Sequence, residues 1–554
     1  AIINQASDLT VLSAELRQHC TDWPSLYHLS NSRANILRPF ESSLHGNILE
    51  IGGGCGAITR YLGECKGSVL TLEGSARRAA IARSRTRDLP NVTIVAANFE
   101  QFQCNEQFDI ITLIGVLEYA NLFISHGNPP LSMLQRVRSL LKPEGKLIIA
   151  IENQLGLKYF AGAPEDHFGK SMYGIEGRYQ NDQQQTYGRQ ALSEMLKQAG
   201  FLYSEFMAPF PDYKLPVSIV TEKGFSCKEF DAAALAWQSV KRDHQLPSVL
   251  AFAPELVWPS LVKNGVALDF SNSFLVVAGD SVNDKADSSI LAWHFTTERS
   301  KEFCKVTRFL QRTNRLIETY CYPLSPDSLN QSRRRLLTFR IQEKAEYVQG
   351  RPLPQELIHI VTCDGWRIED VGNFFKKYLE YLVSYASEQG VSLNVSSPES
   401  KIPGEYFDLI PQNIIVGHDG KWNVIDQEWV LNENMPVGWL IFRSLLTLIN
   451  SVTRFGLCTD EFANTAFGFI KAVFKAMCFF VTEEQMENYG RLELAVQEEV
   501  GGRKLEVDQI LNSWRTTSLQ RLNLNQALIE HNGRIASLNQ IVSNRDEQIA
   551  NRDK

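Results

Sequence analysis

Two groups of residues stand at spacings that chemistry would need. The first is Glu50-x-Gly52-x-Gly54-x-Gly56, set between the apolar run "NILEIG" and a helical pattern. Glycines at such a turn let the backbone pass close to a ligand, and the helix start behind them attracts a carboxylate or phosphate. Glu73 closes the next apolar run, where an acidic side chain can bind both hydroxyls of a ribose. Asn98 and Phe99 close the third, offering a hydrogen bond and an apolar face to an adenine, and Gly115 follows the fourth. A lone glycine turn fits a dinucleotide equally well, although the dinucleotide order is GxGxxG and this one is ExGxGxG.

The second group lies in "YFDLIPQNIIVGHDGKWNVIDQEW", where Asp408, Asn413 and Asp426 are five and thirteen positions apart. Phosphoryl transfer needs a base for the acceptor hydroxyl and oxygen ligands for Mg²⁺. The run "NIIVGHDGKWNVID" reads as strand, Asp-Gly turn and strand, which returns Asp426 to the side of Asn413. Asp408 is then the candidate base, Asn413 and Asp426 the candidate metal ligands. This stretch resembles the active loop of protein-kinase-like enzymes, and that resemblance implies Lys305 of "EFCKVTRF" as the candidate phosphate contact, with Arg308 as its rival and Glu318 as one candidate ion-pair partner.

These residues need rigid elements to hold them. At 554 residues the chain is too long for one ordinary core. Its composition, 44% hydrophobic and 21% charged, is that of a soluble globular protein. A net charge of −7 argues against a surface that wraps nucleic acid. The ten cysteines form no CxxC pair, which fits reduced thiols and gives no zinc or disulfide framework. No signal-peptide pattern opens the chain, and the longest apolar stretches, 439–449 and 468–481, are broken by Arg443, Lys471 and Lys475. No membrane span is expected, so a membrane role must be peripheral or through a partner.

Through about residue 220, short apolar runs alternate with helical patterns, which predicts a parallel, doubly wound α/β sheet. From about 265 β-like runs return, and after 354 the pattern turns helical, so a bilobal α+β unit is expected. At the end, Leu528, Ile535, Val542 and Ile549 recur every seven residues, the pattern of a coiled-coil start that would join copies into a homo-oligomer. The first residue is Ala1 and the chain stops inside that repeat, which suggests a piece of a longer protein.

The motif set over residues 25–220 resembles the class I S-adenosylmethionine-dependent methyltransferases. That resemblance implies a Rossmann-like fold and a cofactor site at Glu50, Gly52, Gly54, Gly56, Glu73, Asn98, Phe99 and Gly115. It adds Arg33, from the segment before the first strand, as a candidate for the methionine carboxylate. It places the acceptor beyond the fifth strand, near Glu152-Asn153, Tyr159 and Glu165-Asp166-His167. His167 is a candidate general base or a structural histidine; an acceptor phosphate would need no base, and Lys158, Lys170 or Arg178 would serve as charge clamps.

The later group resembles the protein-kinase-like enzymes, which implies ATP and Mg²⁺. Tyr406-Phe407 and Gln427 depart from their pattern, and no convincing glycine-rich loop precedes Lys305. In domain order the chain resembles bifunctional enzymes that cap bacterial O-antigen polysaccharides. The expected organisation is a methyltransferase over 1–222, a kinase-like N-lobe with hinge over 223–353, a C-lobe over 354–514 and a coiled-coil start over 515–554. The implied acceptor is a glycan or sugar phosphate, with a glycosyltransferase or a further domain as partner. The implied location is cytoplasmic, at the inner membrane through that partner. The rival expectation is a single-activity methyltransferase whose kinase-like part is a scaffold.

Overall fold

In a computed structural model, residues 1–124, 127–247, 249–280, 288–325, 336–519, 532–543 and 545 are described. Five apolar runs become parallel strands: β1 (Asn47–Ile51), β2 (Ser68–Glu73), β3 (Val92–Ala96), β4 (Phe108–Ile114) and β5 (Leu141–Glu152). They lie in the order β3-β2-β1-β4-β5. Both faces of β1, β4 and β5 are buried, which is why these strands read as continuous apolar runs rather than alternating ones. The helix Ala57–Glu64 starts directly after Gly56, and Arg189–Gln198 is the late helix, with Gly200 just beyond it at φ +98°.

The sheet does not stop at residue 222, the expected boundary. β6 (Tyr203–Phe210) is separated from β5 by β8 (Ser273–Gly279), which runs antiparallel to both and pairs Glu152 with Ser273. A strand from well beyond residue 222 therefore lies in the middle of the sheet that begins with β1. The intervening helices Ala232–Ser239 and Pro254–Lys263 also pack on it, with the Trp258 ring edge-on to Phe210 at 5.0 Å. An apolar strand such as "SFLVVAG" carries no local sign of the sheet position it will fill.

Beyond β6 the same sheet continues antiparallel through β7 (Ser218–Thr221), β9 (Ile290–Thr296), β10 (Lys305–Gln311) and β11 (Ile317–Pro323), ending on Lys344–Glu346. Among the described residues it is twelve-stranded. The helical remainder is organised by Ile368–Glu388, which buries Val371, Phe375, Tyr378 and Leu382 on one face. Within 406–429 the expected hairpin is present: Ile414–Val416 pairs antiparallel with Trp422–Val424, and Gly420 takes the turn at φ +80°.

The ten cysteines are all free. Among the described residues, no helix is long and apolar enough to cross a membrane. Residues 532–543 are helical and expose Ile535, Leu538 and Val542. Leu528 and Ile549 of the heptad pattern lie outside the described residues.

Candidate active sites

A cavity of about 680 Å³ opens at the carboxyl ends of β1, β2, β4 and β5. This is where open α/β sheets place their ligands. The glycine turn forms its floor. Gly52 and Gly53 donate their N–H groups to the Leu72 carbonyl at 2.8 and 3.1 Å, and Gly54 N–H donates to Glu73 Oε2 at 2.8 Å. Gly54, at φ +54°, has open space where a side chain would stand, so the backbone itself faces the cavity. Gly56 serves packing instead: a Cβ there would meet the Ala82 backbone at 2.8 Å.

Glu73, Asn98, Phe99, Gly52, Gly54 and Gly115 all line the cavity, so the structure brings these six sequence candidates together. Glu73 Oε1 accepts from Ser75 N–H at 2.8 Å and Arg78 Nε at 2.9 Å, which fixes the carboxylate while leaving acceptor capacity for hydroxyls. Arg136 stacks 4.9 Å from the Phe99 ring and stiffens that wall.

Two other candidates do not reach the cavity. Glu50 turns into the protein, where Oε2 accepts from Thr59 Oγ1 at 2.5 Å and Thr71 Oγ1 at 2.9 Å. Burial pushes its carboxyl up to about 7, against the two hydroxyls and the Arg33 charge. Glu50 braces the turn from behind. Arg33 is buried too, donating to the Tyr213 and Lys214 carbonyls at 3.1 and 3.0 Å and to the Tyr27 hydroxyl at 3.1 Å. Its guanidinium holds the wall that carries Tyr213 and Lys214, and is not itself part of the cavity lining.

At the other end of the cavity stand Glu118, Glu152 and His167. Glu152 ends β5, and its Oε1 accepts from Lys214 Nζ at 2.6 Å and the Tyr213 hydroxyl at 3.2 Å. Glu118 lies in the turn after β4; burial first, then the negative charge of Glu152, holds it well above the ordinary carboxylate range. His167 packs its ring edge-on to Tyr119 at 5.3 Å. Lys158 is no charge clamp: it is buried and paired with Asp166 at 3.0 Å and Asp212 at 3.1 Å. Lys170 and Arg178 are solvent-exposed.

The second group also assembles. Lys305, first residue of β10, places Nζ 2.9 Å from Asp426 Oδ1 and forms an ion pair with Glu428, which Arg299 also engages. Asp408 Oδ2 accepts from the Glu428 and Trp429 N–H groups at 2.9 and 3.1 Å. Burial pushes the Asp408 carboxyl up to about 6, Arg443 opposing it and Glu428 and Asp426 reinforcing it. Asn413 Nδ2 donates to the Asp408 carbonyl at 2.9 Å and sits 3.4 Å from that of Asp426. Asp426 adopts φ +51°.

Glu318 is not the partner of Lys305. In the β10–β11 hairpin Lys305 faces Pro323 while Glu318 faces Leu310, near the other end. Glu318 pairs with Arg312 and, at 2.7 Å, Lys344. Arg308 stacks on the Tyr322 ring at 5.1 Å, outside the cluster.

Residues 49–147 match the family model described as a methyltransferase domain. That stretch of the chain carries a methyltransferase domain. Ubiquinone biosynthesis O-methyltransferase of Haemophilus ducreyi (strain 35000HP / ATCC 700724) is 27% identical over 136 residues, which are 23% of this chain and 55% of that protein. The chain thus spans about half the length of the curated relative it matches. N-methyltransferase NodS from Bradyrhizobium japonicum WM9 is 16% identical, with 45% of this chain and 94% of that chain covered at a TM-score of 0.25. Its complex with S-adenosyl-l-homocysteine is 18% identical, covering 37% and 93% at a TM-score of 0.27.

Among the cavity residues that the sequence pattern did not single out are Glu118, Tyr213 and Lys214. Glu118 had a signal, an acidic residue four positions after β4 ends at Ile114. Tyr213 and Lys214 sit in "PFPDYKLP", whose three prolines made it resemble the close of a unit. It is a cavity wall because Arg33 and Ser273 hold it: Ser273 Oγ accepts from Tyr213 N–H at 2.8 Å.

Proposed function

We propose that the cavity binds S-adenosylmethionine and transfers its methyl group to an oxygen of a sugar or sugar phosphate. One observation carries this reading: donor-type residues and a charged acceptor end line the same cavity. Gly54, Glu73, Asn98 and Phe99 suit a nucleoside with a carboxylate tail, and Glu118, Glu152, His167 and Lys214 face the space beyond it. The sulfonium methyl carbon forms a bond to the acceptor oxygen as its bond to sulfur breaks, so holding the two in line supplies much of the rate. Lys214, shared between Glu152 and Asp166, offsets part of the negative charge at this end, and with no cation bound His167 or Glu152 can take the proton of a hydroxyl acceptor.

The proposal extends to the Lys305 cluster as a site for ATP and Mg²⁺. Lys305 would meet the phosphates, Asn413 and Asp426 would hold the metal, and Asp408 would take the acceptor proton. Support comes from the convergence of four residues spread over positions 305–426. An arginine charge also reaches Asp408 from helix Val437–Ile449, through Arg443, which stacks on Phe407 at 4.3 Å. Both activities would act on the terminal sugar of a bacterial surface polysaccharide. The exposed stripe of 532–543 would join copies or a glycosyltransferase at the inner membrane.

One observation favours the rival reading, in which this cluster is a scaffold: Lys305 is already neutralised by Asp426 and Glu428, and no glycine lies between β9 and β10. The test is mass spectrometry of terminal glycan residues, with methyl transfer and ATP consumption measured side by side. Methylated and phosphorylated termini are expected. Unchanged glycan methylation after Glu73→Ala, which removes the hydroxyl-binding carboxylate, would refute the polysaccharide assignment. Absence of ATP turnover with candidate glycans present would leave the scaffold.

A further inference from the structure

The acceptor end of the cavity holds three polar atoms without a hydrogen-bond partner: Glu118 Oε2, Glu152 Oε2 and His167 Nε2. Glu118 and Glu152 are each only 1% exposed. One ligand atom from each of the three residues lies within 4.8 Å of the others. An orphaned buried acceptor costs on the order of 1–3 kcal/mol, and two adjacent buried carboxylates repel. Lys214 answers part of this charge through Glu152 Oε1, but it is shared with Asp166 at 2.9 Å and leaves all three atoms unbonded.

We infer that Glu118, Glu152 and His167 form a site for a divalent metal cation. Two carboxylates and an imidazole suit Mn²⁺, Fe²⁺ or Zn²⁺ better than Mg²⁺, which favours oxygen ligands throughout. Bonds of roughly 2.0–2.2 Å set three ligands of one ion about 3.0–3.6 Å apart, so atoms within 4.8 Å of one another must draw together by roughly 1–2 Å at most, a shift that side-chain rotation can supply. The ligand positions are held independently. Glu152 is fixed by β5, Glu118 by the turn after β4, and the His167 and Phe168 N–H groups both donate to Glu165 Oε2 at 2.8 Å. Three protein ligands leave coordination positions facing the cavity, where an acceptor hydroxyl or phosphate oxygen can enter.

The inference deepens the methyl-transfer reading of this cavity, and binding of metal alone separates the two. Mn²⁺ is titrated into the full chain without nucleotide or methyl donor, following free Mn²⁺ by electron paramagnetic resonance. The Asp426→Asn chain is titrated in parallel to remove any contribution from the other cluster. One bound Mn²⁺ per chain is expected in both, weakened more than about 100-fold in Glu118→Gln and in His167→Gln. Half-buried His167 is the safer variant if the buried glutamate change impairs folding. No saturable Mn²⁺ or Zn²⁺ binding by the unsubstituted chain overturns the inference, as does undiminished binding by His167→Gln. Metal binding without methyl-donor binding would instead remove the methyl-transfer reading and leave the metal site standing.

Discussion

At the acceptor end of the cavity Glu118 Oε2, Glu152 Oε2 and His167 Nε2 have no hydrogen-bond partner, whereas the Lys305 ammonium is already met by Asp426 and Glu428. The cavity is built for something that arrives: its backbone is bare at Gly54, and its far end is unsatisfied. The Lys305 cluster is closed on itself, so a nucleotide there must first draw Asp426 away. The Asp426 side chain is 55% exposed and can swing outward, while Lys305, 6% exposed, keeps Glu428 as its counter-charge. Glu428, buried and held by Lys305 and Arg299, is the part that stays. On the proposed reading, one site stands open to its ligand and the other would be closed by its own metal-ligand candidate.

The largest effect should come from Gly54→Val. A branched side chain at φ +54° would fill the space that the turn leaves open. Calorimetry with S-adenosylmethionine should show affinity reduced more than about 100-fold, while ATP consumption is unchanged. If both activities fall together, the two sites are coupled and the contrast between them is wrong. Asp426→Asn tests the other side. ATP turnover should fall roughly 100-fold or more, with methyl transfer intact, because the metal loses a charged ligand. Persistence of turnover would make Asp426 a structural partner of Lys305 alone.

A smaller effect concerns how the cavity floor is braced. The Glu50 carboxyl is raised from 4.5 to about 7 by burial, so the folded chain binds its proton more tightly than the unfolded one. Stability from this group therefore falls as pH rises from about 4.5 to about 7, by roughly 3 kcal/mol at most. Glu50→Gln cannot titrate and should flatten that slope. Thermal unfolding of both chains from about pH 5 to about pH 8 reads the difference; parallel curves would mean that Glu50 carries no such burden.

That Gly52, Gly54, Glu73, Asn98 and Phe99 would meet at one cavity was legible because their signals are local. The glycine turn, Glu73 and the Asn98-Phe99 pair each sit at the end of an apolar run, and strand ends converge in any parallel sheet. For Glu50 and Arg33 residue type shows chemistry but not direction; Thr59, Thr71 and the Tyr213 carbonyl decide where they point. β8 was visible as an apolar run, yet its place between β5 and β6 depends on edges formed far away in the chain.

The amino-acid sequence by itself determined the turns, the strand ends and the Ile414–Val424 hairpin, because these rest on backbone freedom and side-chain periodicity within a few residues. Only the tertiary structure decided which charges meet. Lys214 reaches Glu152 and Asp166, Lys305 reaches Asp426 across 121 positions, and Glu118 and His167 flank the same carboxylate. Such pairings follow from strand order and register, which are set by how all the apolar faces are buried at once.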